Sequence, residues 1–387
     1  MPITTADAAA AAAALRASVP RGASVSAAVA AIVEDVRVRG DAAVLELEAR
    51  FGGGGPLRVT DEELATARTA LAPEVAEALA LAARRVEAVA RAGLSGDRPA
   101  GHGVVLREVA VGRAGVYAPG GQAPYPSSVV MGVATARAAG VEGIAVCASY
   151  PVMLGACALL GVTEVYRMGG AQAVAALAYG TETVRPVDVI VGPGALHAQE
   201  AKRQVSGRVG IDGFAGPSDL VIVAWHGADH RLVRADAAAQ AEHGEGTIVA
   251  VLAPEPIEGL DTLVCEDLEA ALAFVEAFAP EHLQLMGSEA EVLAPRVRSA
   301  GCVFVGNASG TAFGDYLAGS NHVLPTEGAA RFASGLNVRH FTRVMAEVRL
   351  DDEAAALAPA GAAIARAEGF EAHARSMEAR IRENGTT

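Results

Sequence analysis

From Gly143 to Val191 the chain reads GIAVCASYPVMLGACALLGVTEVYRMGGAQAVAALAYGTETVRPVDVIV. Three short β-rich runs stand in it, Gly143–Ala148, Glu164–Met168 and Val187–Val191. Helical stretches flank or separate them at Ser127–Ala139, Ala171–Tyr179 and Ala195–Val205. Alternation at this spacing predicts βαβ units and a parallel sheet. The rhythm starts near Arg113 and repeats further on. Leu220–Ala224, Thr247–Leu252, Thr262–Val264 and Cys302–Val305 read as strands; Arg231–Ala241, Asp267–Phe278 and Glu289–Ser299 read as helices. The expected fold is therefore α/β, two successive parallel-sheet units, with a polar link around Gly216-Pro217-Ser218.

Residues 1–110 read as mainly helical, with apolar residues at helical spacing through Ser26–Arg50 and Asp61–Ala92 and a turn at Gly52–Gly55. The tail from Asp351 is Ala/Glu-rich and helical, and long enough to reach a neighbouring subunit. No internal sequence repeat is visible.

Composition narrows the function. A chain of 387 residues with 52% hydrophobic and 20% charged residues suits two core-forming units. The net charge of −14 and the lack of a basic stripe argue against a nucleic-acid partner. Lys202-Arg203 reads as an ordinary pair on a helical pattern. Cys147, Cys157, Cys265 and Cys302 have no Cys-x-x-Cys spacing, and read as buried free thiols in a reducing compartment. Residues 1–14 carry Asp7 and no basic opening, unlike a secretory signal. The uncharged runs Ala114–Ala136 and Gly143–Thr163 are broken by Pro and Gly, unlike membrane spans; Arg137 follows the first. The expectation is a cytoplasmic protein with no membrane partner.

Four polar clusters interrupt this aliphatic background: Gln240-Ala241-Glu242-His243, Glu281-His282, Asp315 with His322, and Glu368 with His373. Imidazole beside carboxylate or carboxamide binds borderline metals and moves protons near neutral pH. Gln240 and His243, three apart on a helical pattern, could form half of a zinc site, or equally a solvated face. Pro280 breaks the preceding helix, which predicts Glu281-His282 at a turn, either an exposed charged turn or a pair sharing base duty. Gly314-Asp315-Tyr316 and Gly319-Ser320-Asn321-His322 imply a tight loop. Glu368 and His373 fit an amphipathic helix end. Upstream, Gly115-Val116-Tyr117-Ala118-Pro119-Gly120-Gly121, Gly169-Gly170-Ala171-Gln172 and Gly192-Pro193-Gly194 could meet a phosphate or simply turn the chain; none is G-x-G-x-x-G.

Taken in order, these motifs resemble the histidinol dehydrogenase family from about Asp35 to His373, with Ala215-Gly216-Pro217-Ser218, Asn321-His322-Val323-Leu324-Pro325-Thr326 and Ser334-Gly335-Leu336 among the matches. The resemblance implies two Rossmann-like units in an aldehyde-dehydrogenase-like superfold. It implies a zinc-dependent, four-electron oxidation of L-histidinol to L-histidine with two NAD⁺, the final step of histidine biosynthesis. By position, Gln240, His243, Asp315 and His373 would be zinc ligands, and Glu281 and His282 the acid–base pair. Ser218, His322 and Glu368 would contact substrate, alongside the ligands and His282. Tyr117, Gln172 and the position of Ala195 would contact NAD⁺. The resemblance further implies a homodimer with residues 336–387 swapped onto the partner. It groups 21–113 with 220–335 as a substrate and zinc domain, and sets 114–219 apart as the NAD domain, after an N-terminal arm of 1–20.

This sequence departs from the family pattern in places. Ala195 stands where asparagine follows Gly-Pro-Gly, Asp219 where glutamate is usual, and the His243–Glu281 stretch and the segment before Tyr150-Pro151 are short. Rival readings are a paralogue acting on another small alcohol and a non-catalytic zinc or nucleotide binder. A zinc hydrolase is disfavoured, since no His-Glu-x-x-His is present.

Overall fold

The aliphatic runs become strands because both faces of each can be buried. A computed structural model describes residues 1–19, 24–120, 123–244 and 246–381. Its strands, in chain order, are β1 (Arg98–Gly101), β2 (Val104–Ala110), β3 (Arg113–Tyr117), β4 (Gly143–Cys147), β5 (Glu164–Tyr166), β6 (Val189–Val191), β7 (Gly210–Ile211), β8 (Asp219–Ala224), β9 (Ile248–Ala253), β10 (Thr262–Val264), β11 (His282–Met286), β12 (Cys302–Val305) and β13 (Thr342–Val348). Two units are present: Met1–Leu94 with Ala110–Phe341, and Ser95–Val109 with Thr342–Thr387.

The first unit holds two five-stranded sheets, ordered β5-β4-β3-β6-β7 and β10-β9-β8-β11-β12, and their strands pair in parallel. Counted from its own first strand, each sheet has the order 3-2-1-4-5, so a Rossmann-like unit occurs twice. The sequence hides this repetition because only the pattern of burial recurs, not the residues.

Alternate residues of β4 face opposite cores. Val146 packs with the helices Asp61–Thr69, Pro73–Ala92, Pro126–Ala138 and Pro151–Leu159, whereas Ala145 and Cys147 pack with Ser26–Arg39, Asp41–Arg50, Gly170–Tyr179 and Leu196–Val205. Burial on both faces accounts for uninterrupted apolar runs in place of polar alternation. In β8, Val221 and Val223 face one core and Leu220, Ile222 and Ala224 the other. All four cysteines are free, three of them buried.

Three expectations need correction. The helices between 26 and 92 bury their apolar faces on the first sheet, not with 220–335; helical spacing marks a buried face without saying which sheet receives it. The arm helix Ala8–Ala17 does join the second sheet, where Ala8 and Ala12 share a core with Phe274 and Leu285. Residues 98–101 and 104–110 are strands joined by a turn, not helix. The predicted helix 289–299 shrinks to Ser288–Glu291 and a 3-10 turn at Ala294–Arg296, because Pro295 removes a backbone donor.

The second unit is a three-stranded sheet, order β1-β2-β13, with helices Glu353–Ala367 and Glu371–Glu378. The helices match the reading of the tail; residues 336–341, however, belong to the first unit. Gly121 of the Gly115–Gly121 motif, and the expected boundary at 20 and 21, lie outside the described residues.

Candidate active site

The second sheet builds the chemistry at its amino edge. Glu281 and His282 do not sit on an exposed turn. Ala279 caps the preceding helix in the left-handed region (φ 49°), Pro280 follows, and His282 opens β11. Register pairs His282 with Leu220, which sets Glu281 beside Asp219 on the neighbouring strand. The two then clamp each other: Glu281 N–H donates to Asp219 Oδ1 (2.6 Å) and Asp219 N–H to Glu281 Oε2 (3.1 Å). Glu281, His282 and Asp219 are all buried.

Onto this pair converge residues from distant segments. Ser218 Oγ–H donates to Glu281 Oε2 at 2.5 Å, and Gln240 Nε2 donates to Ser218 Oγ at 2.7 Å. His282 stands between two carboxylates, with Nδ1 3.6 Å from Glu281 Oε2 and Nε2 3.6 Å from Asp315 Oδ1. Phe304 stacks on its ring at 6.0 Å. A Cβ on Gly314 would collide with that Phe304 ring, so the glycine before Asp315 serves close approach and not the expected turn.

Burial alone would strip the proton from His282, but the Asp315 and Glu281 carboxylates outweigh it and raise its affinity to about 10. Burial pushes Asp315 up; His282, then His322 and His243, overcome this and hold it below its ordinary value. Burial lowers His322, keeping it neutral at pH 7. Its tautomer follows from its partners. The main-chain oxygen of Asp315 can only accept, so Nδ1 carries the hydrogen (2.9 Å) and Nε2 receives the Ser128 hydroxyl (3.0 Å).

His243 is exposed and lies past the end of the helix His230–Ala241, so the pair Gln240–His243 is not helical at both ends. Its Nδ1 faces the main-chain oxygen of Gln240 at 3.0 Å, which leaves Nε2 with its lone pair. Gln240, with Nε2 committed to Ser218, presents Oε1. The Gln240 amide oxygen, the anchored His243 imidazole and the Asp315 carboxylate are the side-chain donors that could hold zinc. Among the described residues no three His, Cys, Asp or Glu side chains make a metal-binding group by themselves. Glu368 and His373 belong to the second unit, where both are exposed and His373 packs against Phe370 at 5.2 Å.

On the first sheet the candidate cofactor residues lie at the opposite, carboxyl edge. Tyr117 ends β3 and Gly192 follows β6, the two strands at which the winding direction reverses. Ligands of doubly wound sheets bind at this point. Gly192 (φ 120°) passes against the Tyr117 backbone with no room for a Cβ. Tyr117 is buried, and burial, with Cys147 and Glu48 nearby, raises its pKa and keeps the phenol neutral. Gln172 is buried with Nε2 on Glu48 Oε1 (2.8 Å) and Oε1 without a partner. Ala195 is exposed and precedes the helix Leu196–Val205 with no side-chain cap.

Four contributors escaped the sequence reading. Arg16, in the arm, reaches Asp219 Oδ2 (3.2 Å) and the Phe278 carbonyl (2.7 Å) and lies over the Phe278 ring. Ser128, Glu48 and the Lys202–Asp212 pair were equally silent. None carries a local pattern; each acts through a partner far off in the chain.

Two doubly wound sheets, one with a nucleotide-type switch point and the other with a carboxylate–imidazole–carboxylate row, are the parts of an α/β oxidoreductase. Comparison with known proteins narrows the class. The sequence profile described as histidinol dehydrogenase matches residues 16–258 and 254–381, so the chain belongs to the histidinol dehydrogenase family. It is 41% identical over 399 residues to histidinol dehydrogenase of Rhizobium meliloti (strain 1021), covering 92% of both chains. It is 42% identical over 402 residues to that of Cereibacter sphaeroides, again covering 92% of both. The crystal structure of histidinol dehydrogenase from Elizabethkingia anophelis superposes with a TM-score of 0.87 at 29% identity, covering 94% of this chain and 93% of that one. No helix among the described residues is long and apolar enough to cross a membrane.

Proposed function

We propose that this chain oxidises L-histidinol to L-histidine through the aldehyde, reducing two NAD⁺ in succession, as the closing step of histidine biosynthesis in the cytoplasm. The observation that carries this reading is the convergence of Ser218, Gln240, Glu281–His282, Asp315 and His322 from separate stretches of sequence.

Gln240, His243 and Asp315 would hold zinc, with His373 of the partner subunit as the fourth donor. When bound, zinc supplies an anchor for the imidazole and amine of the substrate, fixing the carbinol carbon for hydride transfer. The protein's own groups move the protons. In the first oxidation the alcohol proton passes toward His282 as hydride leaves for NAD⁺. Were Asp315 held as a zinc ligand, it would no longer counter His282, and the proton affinity that both carboxylates raise would fall. In the second, water adds to the aldehyde and a second hydride leaves the hydrate. Glu281 Oε2 is occupied by Ser218 and Asp219, so Oε1 is the oxygen that polarises this water. Ser218 and His322 would line the substrate, with Glu368 of the partner subunit.

Residues 114–219 would bind the nicotinamide nucleotide at the β3/β6 switch point, with Tyr117, Gln172 and Ala195 facing it. The homodimer is supported by the second unit taken alone. Its described core is Ala362, Ala365 and Ala374 with Met377, while Val344, Val348, Leu357, Ile364 and Phe370 are exposed. So small a core calls for a covering partner.

The test is NADH absorbance with zinc, NAD⁺ and L-histidinol. Two NADH per histidinol are expected. NADH only from other alcohols would favour a paralogue, and tight zinc binding without any NADH would favour a non-catalytic binder.

A further inference from the structure

Lys202 is the only lysine in the chain; every other basic side chain among the 31 Lys and Arg is arginine. It is also among the largest fully buried side chains. Its Nζ donates to the Gly192 carbonyl at 2.7 Å and to Asp212 Oδ1 at 2.5 Å. Asp212 closes the loop from the other side, because its Oδ2 accepts the Gly192 N–H at 2.6 Å. Both polar groups of one glycine are thus held by one ion pair.

That glycine is not an arbitrary one. Gly192 leaves β6 at the switch point with φ 120°, and its Cα lies against the Tyr117 main chain. Gly194 then lies on the Tyr117 ring, where a Cβ would come within 3.1 Å of Cε1. Directly afterwards Ala195 precedes the helix that carries Lys202 itself. A buried ion pair is rarely worth its desolvation for stability alone, so this one has another use. A compact ammonium with rotatable donors reaches both acceptors from a single nitrogen. This explains one lysine in a chain otherwise supplied with arginine.

We infer that Lys202 and Asp212 are positioning residues for the nicotinamide nucleotide: they fix the Gly192–Gly194 turn, and through it the Tyr117 ring and the start of the Leu196–Val205 helix. The inference rests on the reading that this edge binds NAD⁺.

The experiment uses the full-length protein, with NADH binding followed by fluorescence and KM measured for NAD⁺ and histidinol separately. Saturable NADH binding by the unaltered protein is required first; its absence overturns the cofactor reading and the inference together. Lys202→Met leaves a buried carboxylate unpaired and should lower stability. Lys202→Met/Asp212→Leu replaces the pair by apolar groups and should recover stability, yet keep the turn unheld. Its KM for NAD⁺ and Kd for NADH should rise about tenfold, the loss of roughly one hydrogen bond's worth of positioning. KM for histidinol should stay within about twofold. A purely structural pair predicts that NADH affinity returns together with stability, and that result overturns the inference while sparing the cofactor reading. Should the double variant not fold, Asp212→Asn decides: its amide nitrogen, a donor, replaces an oxygen that accepts from either Lys202 or Gly192 N–H, and unchanged NADH binding there is equally fatal.

Discussion

Consider Arg16→Met, which cuts the bond between the N-terminal arm and the floor of the site. Burial is the main cause that raises Asp219 from 3.8 to about 6, opposed by the Glu281 N–H and Arg16 and assisted by the Glu281 charge. The folded carboxyl therefore holds its proton more tightly than the unfolded one, and its ionisation subtracts stability as pH rises from 4 to 6. Protonation also sets a ceiling on what losing Arg16 can cost through Asp219. Once unpaired, the acid can take up a proton, at about 1.4 kcal/mol for each pH unit above 6. At pH 7 the ceiling is about 1.4 kcal/mol, and at pH 5 it is close to zero. The Arg16 bond to the Phe278 carbonyl and its cation–π contact add roughly 2 kcal/mol at either pH. Arg16→Met should thus destabilise by about 3–4 kcal/mol at pH 7 and about 2 kcal/mol at pH 5. Urea unfolding of wild type, Arg16→Met, Asp219→Asn and the double variant, at fixed protein concentration, closes a double-mutant cycle. The coupling should be about 1.4 kcal/mol at pH 7 and vanish at pH 5. A coupling equal at both pH values, or larger at pH 5, refutes the reasoning.

Three other outcomes are expected. His282→Ala should retain zinc and lose about 10²–10⁴-fold in turnover, since it deletes a proton-transfer group; zinc content by atomic absorption and initial rates decide. His373→Ala should lose metal, and mixing it with His282→Ala subunits under exchange conditions should restore partial activity if each site borrows its neighbour's tail; no recovery above the parents counts against the swap. Ala195→Asn should stabilise the protein by about 1 kcal/mol, because the position has an extended backbone (φ −66°, ψ 170°) and no side-chain cap. Urea titration checks it, and a lowered KM for NAD⁺ should accompany the gain.

What the sequence disclosed and what it withheld divide along physical lines. The strands Thr262–Val264 and Cys302–Val305 are legible to the residue, because aliphatic runs between turn residues have few other uses. β11 is not, since His282 and Gln284 interrupt the apolar pattern and only tertiary burial reveals them as strand. Of the proposed site, the side chains with distinctive chemistry could be named in advance. Their neighbours could not. Asp219 stands just before the predicted strand Leu220–Ala224, and Arg16 is one arginine after an alanine run; their importance lies in a contact across 203 residues of chain. Strands β1, β2 and β13 escaped for another reason: β1 and most of β13 are exposed and β2 is only half-buried, so none has the fully buried apolar run that marks the inner sheets.

A chain with one lysine, enclosed beneath a glycine turn, offers a single target to a protease that cuts only after lysine. In the folded protein that bond is out of reach, and cleavage yields two pieces, 1–202 and 203–387. The rate of their appearance on a gel would then clock the opening of this half of the molecule, with no label and no added probe. Because a bound nucleotide should hold the half shut, the same digestion run with and without NAD⁺ would convert a quirk of composition into a gauge of local unfolding.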